Sequence, residues 1–507
     1  MARHQDGSMR PLPLPIIQPK TLKLFKEIAG DPLGEDELDR WVLHVLSTDK
    51  RLKQRSPHTV RENATAAERL NRRRHLRNLL QRYHRQLRRQ ARTPLKKHLL
   101  VWQRYRKNAV LDTLVPNRSD RWVLPARRRK LKDQGAQTIN VASMSFFDDA
   151  EHSLEIITKM AEAELTGLNV TVNFNFDRCE DIGPMLLMAE LVPKMAPVFT
   201  SGRMTSAVQK VLDSVGLRHA LRMSFPGLTD HSDVYAFPVQ RRRPTGSSSS
   251  PTKDLDPQGR EKVADHFCDE LDRWFDLSGT ECELSGEGRS HLKNLIGELL
   301  CNAERHSSPL DKDGSWSVAG FMARRQDASG RDVFQCHLAF LSVGATIAES
   351  LKATAAPAMR SQIDSVVHKF RQVNGASQSA DTLMTLAALQ DTVTCDPKAF
   401  EESRGGTGFL DVIDFVRMLG YQKNGGCTAK IAIVSGNSCI KLEAPYIEGL
   451  RLDPTSGRRL WCNTHNSTND PPDPSFVKDM ARKLPGTVIS VIFTLDQAFF
   501  REAYHAN

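Results

Sequence analysis

The 507-residue chain has no run approaching the ~18 consecutive apolar residues of a membrane-spanning helix; its best runs, such as Thr487–Leu495, are strand-sized. Cysteine is sparse and scattered: nine residues, none in a C-x-x-C pair. An odd, dispersed set of thiols argues against a disulfide framework and fits a reducing compartment. One Cys/His pair, Cys462 and His465, has metal-ligand spacing, but no second pair accompanies it, and the sixteen histidines do not cluster. These gaps argue against a zinc site. There is no G-x-x-x-x-G-K-[ST] phosphate loop, no Rossmann glycine spacing and no G-x-S-x-G elbow. S-x-x-K occurs at Ser47–Lys50 and Ser290–Lys293, without the companion motifs that would make either serine a nucleophile. Prolines interrupt the only apolar patch of the first residues, which makes a poor signal peptide. No internal repeat is visible. The expectation is a soluble, cytoplasmic protein without a membrane partner, of about three domains, with 39% hydrophobic and 26% charged residues as in ordinary globular chains.

What the chain does have is an uneven charge. The net charge is +11, yet residues 51–132 hold 26 lysines and arginines against four acids, a local +22, and leave −11 for the rest. Such asymmetry points to a polyanionic partner, or to one part of the protein docking on another. Within the segment, Leu76, Leu79, Leu80, Tyr83 and Leu87 recur at helical steps among arginines. Arginine suits phosphate because its planar fork donates two hydrogen bonds and stays charged. Nucleic-acid contact through residues 51–132 is one reading; a leucine stripe packed on a neighbour, with solvated arginines, is the other.

Composition shifts divide the chain into a helical segment at 1–50, the basic helical segment at 51–135, a small α/β module at 138–237, a Pro/Ser/Gly-rich flexible linker at 238–260 and a larger α/β unit at 261–500. In the module, L-N-V-T-V-N-F-N-F alternates as a half-buried strand does, and D-R-C-E-D-I-G-P opens into an apolar helix at Gly183–Pro184. In the larger unit, helices are predicted over Glu261–Phe275, Gly286–His306 and Gly408–Leu419. Strands are predicted at Ser315–Ala323, Val333–Leu341, Thr428–Ser435, Ser438–Glu443 and Thr487–Thr494.

Four elements of that unit carry chemistry. G-E-L-L-C-N-A-E-R-H-S places Glu298 and Asn302 one turn apart on one helical face. An amide oxygen is a hard ligand for Mg²⁺, and a carboxylate beside it orients or deprotonates water; a solvated helix face is the plain alternative. His306, one turn further, is read as capping the helix end. S-R-G-G-T-G-F-L-D-V-I sets Gly405, Gly406 and Gly408 around Thr407 just before an apolar helix, where backbone N–H groups can turn toward an anion; a glycine-rich turn is the alternative. F-L-S-V-G-A-T-I-A-E-S-L ends a strand and turns through Gly344, and L-P-G-T-V-I-S-V-I-F-T-L runs from a turn into a last strand.

In this order the four elements resemble the gyrase/histidine-kinase ATPase superfamily over about 240 residues, from Glu261 to the end of the last strand. The resemblance implies a two-layer α/β sandwich of the Bergerat type that binds ATP with Mg²⁺. It implies Glu298 as general base, Asn302 as metal ligand, Gly405, Gly406, Thr407 and Gly408 as phosphate cradle, and Ser342 and Gly344 at the base-binding strand end. Where the family has an aspartate that accepts from the adenine amino group, this chain has Ser342, a neutral and weaker acceptor. Thr346 replaces a second glycine and is expected to narrow the space near the base. Residues 138–237 resemble STAS-like modules that accompany anti-sigma-type kinases. The loop that carries a phosphorylatable serine in such modules offers Asp181, Ile182 and Gly183 here. The implied function is an ATP-binding regulator, either a slow Mg-ATPase or an anti-sigma/histidine-kinase-like switch acting on a protein partner. ATP hydrolysis and protein phosphorylation both stay open. The alternative is a non-catalytic interaction or nucleic-acid-binding protein on a degenerate ATPase scaffold.

Overall fold

The computed structural model describes residues 104–128, 136–223, 233–242, 259–280, 282–311, 313–326, 330, 332–373, 375–390, 408–423, 426–449 and 458–500. The segment expected at 1–50, most of the basic segment, the linker between 243 and 258, and the loop residues Gly405, Gly406 and Thr407 lie outside them. The described residues belong to one unit, Trp102–Asn507. It is a mixed α/β structure with one parallel and one antiparallel sheet.

The antiparallel sheet has the order β4-β5-β6-β8-β7. Its strands are β4 (Val234–Arg242), β5 (Ser315–Gln326), β6 (Asp332–Val343), β7 (Lys430–Leu442) and β8 (Val477–Leu495). Over Trp316–Ala323 of β5, Leu338–Leu341 of β6, Ile431–Ser435 of β7 and Val488–Phe493 of β8 the sequence is apolar or small at successive positions rather than alternating with polar residues, which is the mark of a sheet covered on both faces. On one face Trp316, Val318, Leu338, Phe340, Ile433 and Val491 enter a core with the helices α4 (Arg260–Ser278), α5 (Gly286–Ser307) and α9 (Gly408–Leu419). The helices α6 (Ile347–Thr354), α7 (Pro357–His368) and α8 (Ala380–Ala388) continue that layer.

The other face mixes the small residues Ser317, Ala319, Ala339, Ala432 and Ser490 with the larger Phe321, His337, Leu341 and Val488, all buried. Against it lies the N-terminal module, with its parallel sheet in the order β1 (Ala136–Val141), β2 (Asn169–Phe174), β3 (Phe199–Arg203) and its helices α1 (Phe146–Thr166), α2 (Gly183–Leu191) and α3 (Ser206–Ser214). Every residue of α2 is buried, as its sequence, apolar except for Glu190, requires. Small side chains on the sheet let α2 come close: a Cβ on Gly183 would meet the Ser490 hydroxyl at 2.2 Å. Polar groups fix the orientation. The Ser317 hydroxyl donates to buried Glu190 of α2 at 2.9 Å, and the Ala481 N–H donates to Glu151 of α1 at 2.8 Å. Asp181 accepts from the N–H groups of Phe146 and Gly183 at 2.7 and 2.8 Å; burial nevertheless raises its pKa to about 6. In that position the carboxylate ties the starts of α1 and α2 together.

Two boundaries differ from the sequence expectation. Strand β4 crosses the border expected at 237/238 and pairs with β5, so residues 238–242 are sheet rather than linker. Phe237 anchors it against Phe267 at 5.2 Å, and Pro238, lacking a donor, sits where the register shifts on this edge strand. The two strands expected at Thr428–Ser435 and Ser438–Glu443 are one, β7. Gly436, at φ 60°, absorbs a register shift without ending the strand.

Part of the basic segment is structural. Arg118, 1% exposed, pairs with Glu164 of α1, itself 0% exposed, and with Asp112 at 3.2 Å. The Arg128 guanidinium donates to the carbonyls of Val123, Glu164 and Gly167 at 2.6–2.9 Å, and burial brings its pKa down to about 10. Neither arginine is exposed to a polyanion. Glu164→Ala is expected to leave Arg118 buried beside only a half-buried carboxylate and to destabilise the protein by about 3–5 kcal/mol. Urea denaturation measures it, and a loss near zero would show that the pair is not a structural anchor.

Candidate functional site

Helix α5 is capped by Ser285, whose hydroxyl accepts from the Gly288 N–H at 3.0 Å. Its residues Leu292, Leu295, Ile296, Leu299 and Leu300 are buried. That seating turns Glu298, Asn302 and His306, at four-residue steps, into one cavity of about 200 Å³. The floor of the cavity is the sheet: Trp316 of β5, Phe340 and Ser342 of β6, Ile433 of β7, Thr487 and Ile489 of β8. Leu351 of α6, Leu389 after α8 and Phe409 of α9 close the sides.

Glu298, Asn302 and Ser342, separated by up to 44 residues in sequence, therefore share one cavity. Glu298 is exposed, and Asn302 and Ser342 are half-buried. Among the described residues none of the three side chains is engaged in a hydrogen bond. Gly408 opens α9, whose next residue, Phe409, lines the cavity. The placement of Gly405, Gly406 and Thr407 lies outside the described residues. Gly344 does not line the cavity but shapes it. It has φ 147°, and a Cβ there would meet the Ser307 carbonyl oxygen at 2.1 Å. Ala345 donates to that same oxygen at 2.9 Å, so the turn after β6 is locked against the end of α5.

Two residues behave differently from the sequence expectation. His306 does not cap the helix end. Its Nδ1 lies 2.9 Å from the Ser350 hydroxyl in the cavity wall, and burial, reinforced by Arg305, lowers its pKa. The ring is therefore held neutral and bonded to α6. Thr346 does not narrow the cavity. Its hydroxyl accepts from the Glu349 N–H at 3.2 Å while Glu349 accepts from the Thr346 N–H at 2.9 Å, a reciprocal cap on α6.

Sequence reasoning passed over Trp316, Ser350 and Thr487. The Trp316 indole N–H donates to Glu304 of α5 at 3.0 Å, clamping helix to sheet at the cavity edge. Thr487 stood within a quoted motif, and only cross-strand register identifies it as the neighbour of Ser342. Cys462, its thiol pushed up to about 12 by burial, and His465, bonded to Asp470 at 2.7 Å, are engaged separately. Among the described residues no group of three or more His, Cys, Asp or Glu could hold a metal ion, and no helix is long and apolar enough to cross a membrane. No family model, curated protein or solved structure matches the chain.

Gly344→Ala is expected to destabilise the protein by about 1–3 kcal/mol or more, through backbone strain and the clash with Ser307. Gly297→Ala, on the same α5 but with open space before its Cβ, is expected to gain up to about 1 kcal/mol. Urea midpoints of the two variants check this pair, and equal midpoints would contradict the locked turn.

Proposed function

We propose that the protein is an ATP-binding regulator of the gyrase/histidine-kinase ATPase type, built on a Bergerat-like α/β sandwich with a STAS-like module on its back. The observation that carries the reading is convergence. A carboxylate, an amide and a hydroxyl with no hydrogen-bond partner among the described residues face one largely apolar cavity, which the start of α9 also borders. Apolar walls suit a purine ring, and a few convergent polar groups suit its orientation.

The residues fit a metal that arrives with its ligand. Mg²⁺ keeps several waters and typically takes one or two protein ligands beside phosphate oxygens, so the amide oxygen of Asn302 suffices where no closed metal cluster is gathered. Bound there, the ion would supply charge neutralisation for the triphosphate; among the described residues the cavity lining contains no lysine or arginine to do so. Glu298, one turn back and exposed to solvent, orients a water toward the terminal phosphate and accepts its proton. His306, neutral and held by Ser350, adds a wall group without adding charge.

Regulation follows from the shared sheet. Strands β5, β6 and β8 present Trp316, Phe340, Ser342, Thr487 and Ile489 to the cavity. The neighbouring residues Ser317 and Ser490 lie on the face covered by α2. A ligand that adjusts these strands acts on the module directly, and the module would pass the state to a protein partner.

The test is calorimetry of the full chain with ATP, with and without Mg²⁺. Binding that strengthens with Mg²⁺ is expected, with Asn302→Ala removing the magnesium-dependent part. Glu298→Ala is expected to keep binding and to lower hydrolysis by about a hundredfold or more. No binding of ATP under either condition would overturn the reading.

A further inference from the structure

Two cross-strand rows of the sheet supply the cavity floor, through Trp316, Ser342 and Thr487 of one and Phe340, Ile489 and Ile433 of the other; Ser435 and Val318 stand at the row ends outside the lining. The register places Trp316, Ser342, Thr487 and Ser435 side by side on β5, β6, β8 and β7, and Val318, Phe340, Ile489 and Ile433 in the adjacent row. Directly opposed residues of an antiparallel pair share a face. One row is therefore apolar throughout. The other offers an indole, whose N–H is already given to Glu304, and three hydroxyls. Neither row contains an ionisable side chain.

The polarity of the hydroxyl row is not fixed. Ser435 accepts from the Ile347 N–H at 2.9 Å and lies 2.8 Å from the Thr487 hydroxyl, a contact in which either oxygen can donate. If Ser435 donates, the Thr487 proton is free to be given to a ligand; if Thr487 donates, its lone pairs are free to accept. The Ser342 hydroxyl has no partner among the described residues and rotates to either role. A carboxylate in this row would accept only, favouring an amino edge and repelling a carbonyl edge. Rotating hydroxyls satisfy both.

Resting on the nucleotide reading above, we propose that the site takes adenine and guanine nucleotides alike, the base edge being read by Ser342 and Thr487 in whichever polarity the base presents. The adenine amino group would be a donor to this row and the guanine carbonyl an acceptor from it, with the purine ring lying on Phe340 and Ile489. A neutral hydrogen bond that can reverse its sense leaves discrimination within about tenfold.

Calorimetry of the full chain with Mg·ATP and with Mg·GTP decides it. Dissociation constants within about tenfold of each other are expected. Ser342→Asp, which installs a fixed acceptor, is expected to move the ratio toward ATP by about tenfold or more. Thr487→Val, which removes one hydroxyl and keeps the shape, is expected to weaken both nucleotides with the ratio unchanged. Three results overturn the proposal while leaving a nucleotide site intact: a wild-type preference of about a hundredfold for either base, an unchanged ratio in Ser342→Asp, or loss of a single nucleotide in Thr487→Val. If Ser342→Asp fails to fold, the wild-type ratio and Thr487→Val still decide. Failure of both nucleotides to bind the wild type instead removes the nucleotide reading and this inference with it.

Discussion

Burial of both faces of the five-stranded sheet governs the rest of the molecule. A sheet with water on one side can place polar residues at every second position; here those positions are buried, small at Ser317, Ala319, Ala339, Ala432 and Ser490 and larger at Phe321, His337, Leu341 and Val488. The small side chains let α2 settle close enough that the Gly183 Cα has no room for a side chain beside Ser490. With the back closed in this way, the front face retains its large residues, and helix α5 is seated on them. The direction in which Glu298, Asn302 and His306 point follows from that seating. The cavity is thus a consequence of how a helix lies on a sheet rather than of a dedicated loop.

The same constraint makes the module part of one body with the candidate site. Residues on opposite faces of one strand are one peptide apart, so Trp316 at the cavity and Ser317 at Glu190 cannot move independently. Register extends the pattern to β4, where Arg242 stands opposite Trp316 and Arg241 opposite Ser317. Arg242 reaches Glu304 at 3.4 Å on the cavity side, and Arg241 reaches Glu190 at 3.6 Å on the module side. Both arginines, which the sequence reading placed in a flexible linker, are instead paired within the fold. Arg118 and Arg128 extend the point to the described part of the basic segment, where both are buried and paired within the protein.

Legibility in the sequence followed the strength of the local signal. Helix α9 matches its expected bounds, Gly408–Leu419, because glycine and an apolar helical period coincide there. Strands β5 and β6 were visible as long apolar runs. Strand β4 was not, since its proline and arginines read as a linker, and only pairing with β5 and contact with Phe267 hold it in the sheet. At the site, the spacing of Glu298 and Asn302 was readable from helical period, and motif order brought Ser342 to the same place. Thr487 needed cross-strand register, which no single-strand pattern reveals. His306 was misjudged because its partner Ser350 lies 44 residues away on α6, which no local rule reveals. Thr346, by contrast, sits in a T-x-x-E capping box with Glu349 that the sequence displays but that the motif comparison passed over.

The central claim is that a purine nucleotide lies on the sheet floor between α5 and the two cross-strand rows. Photolabelling the full chain with an azido-purine analogue of ATP, followed by peptide mapping, tests it most directly. The account predicts magnesium-dependent labelling confined to peptides that contain Phe340–Ser342 of β6 or Thr487–Ile489 of β8, competed away by ATP. Labelling that maps instead to the module, or that ATP does not displace, would contradict it.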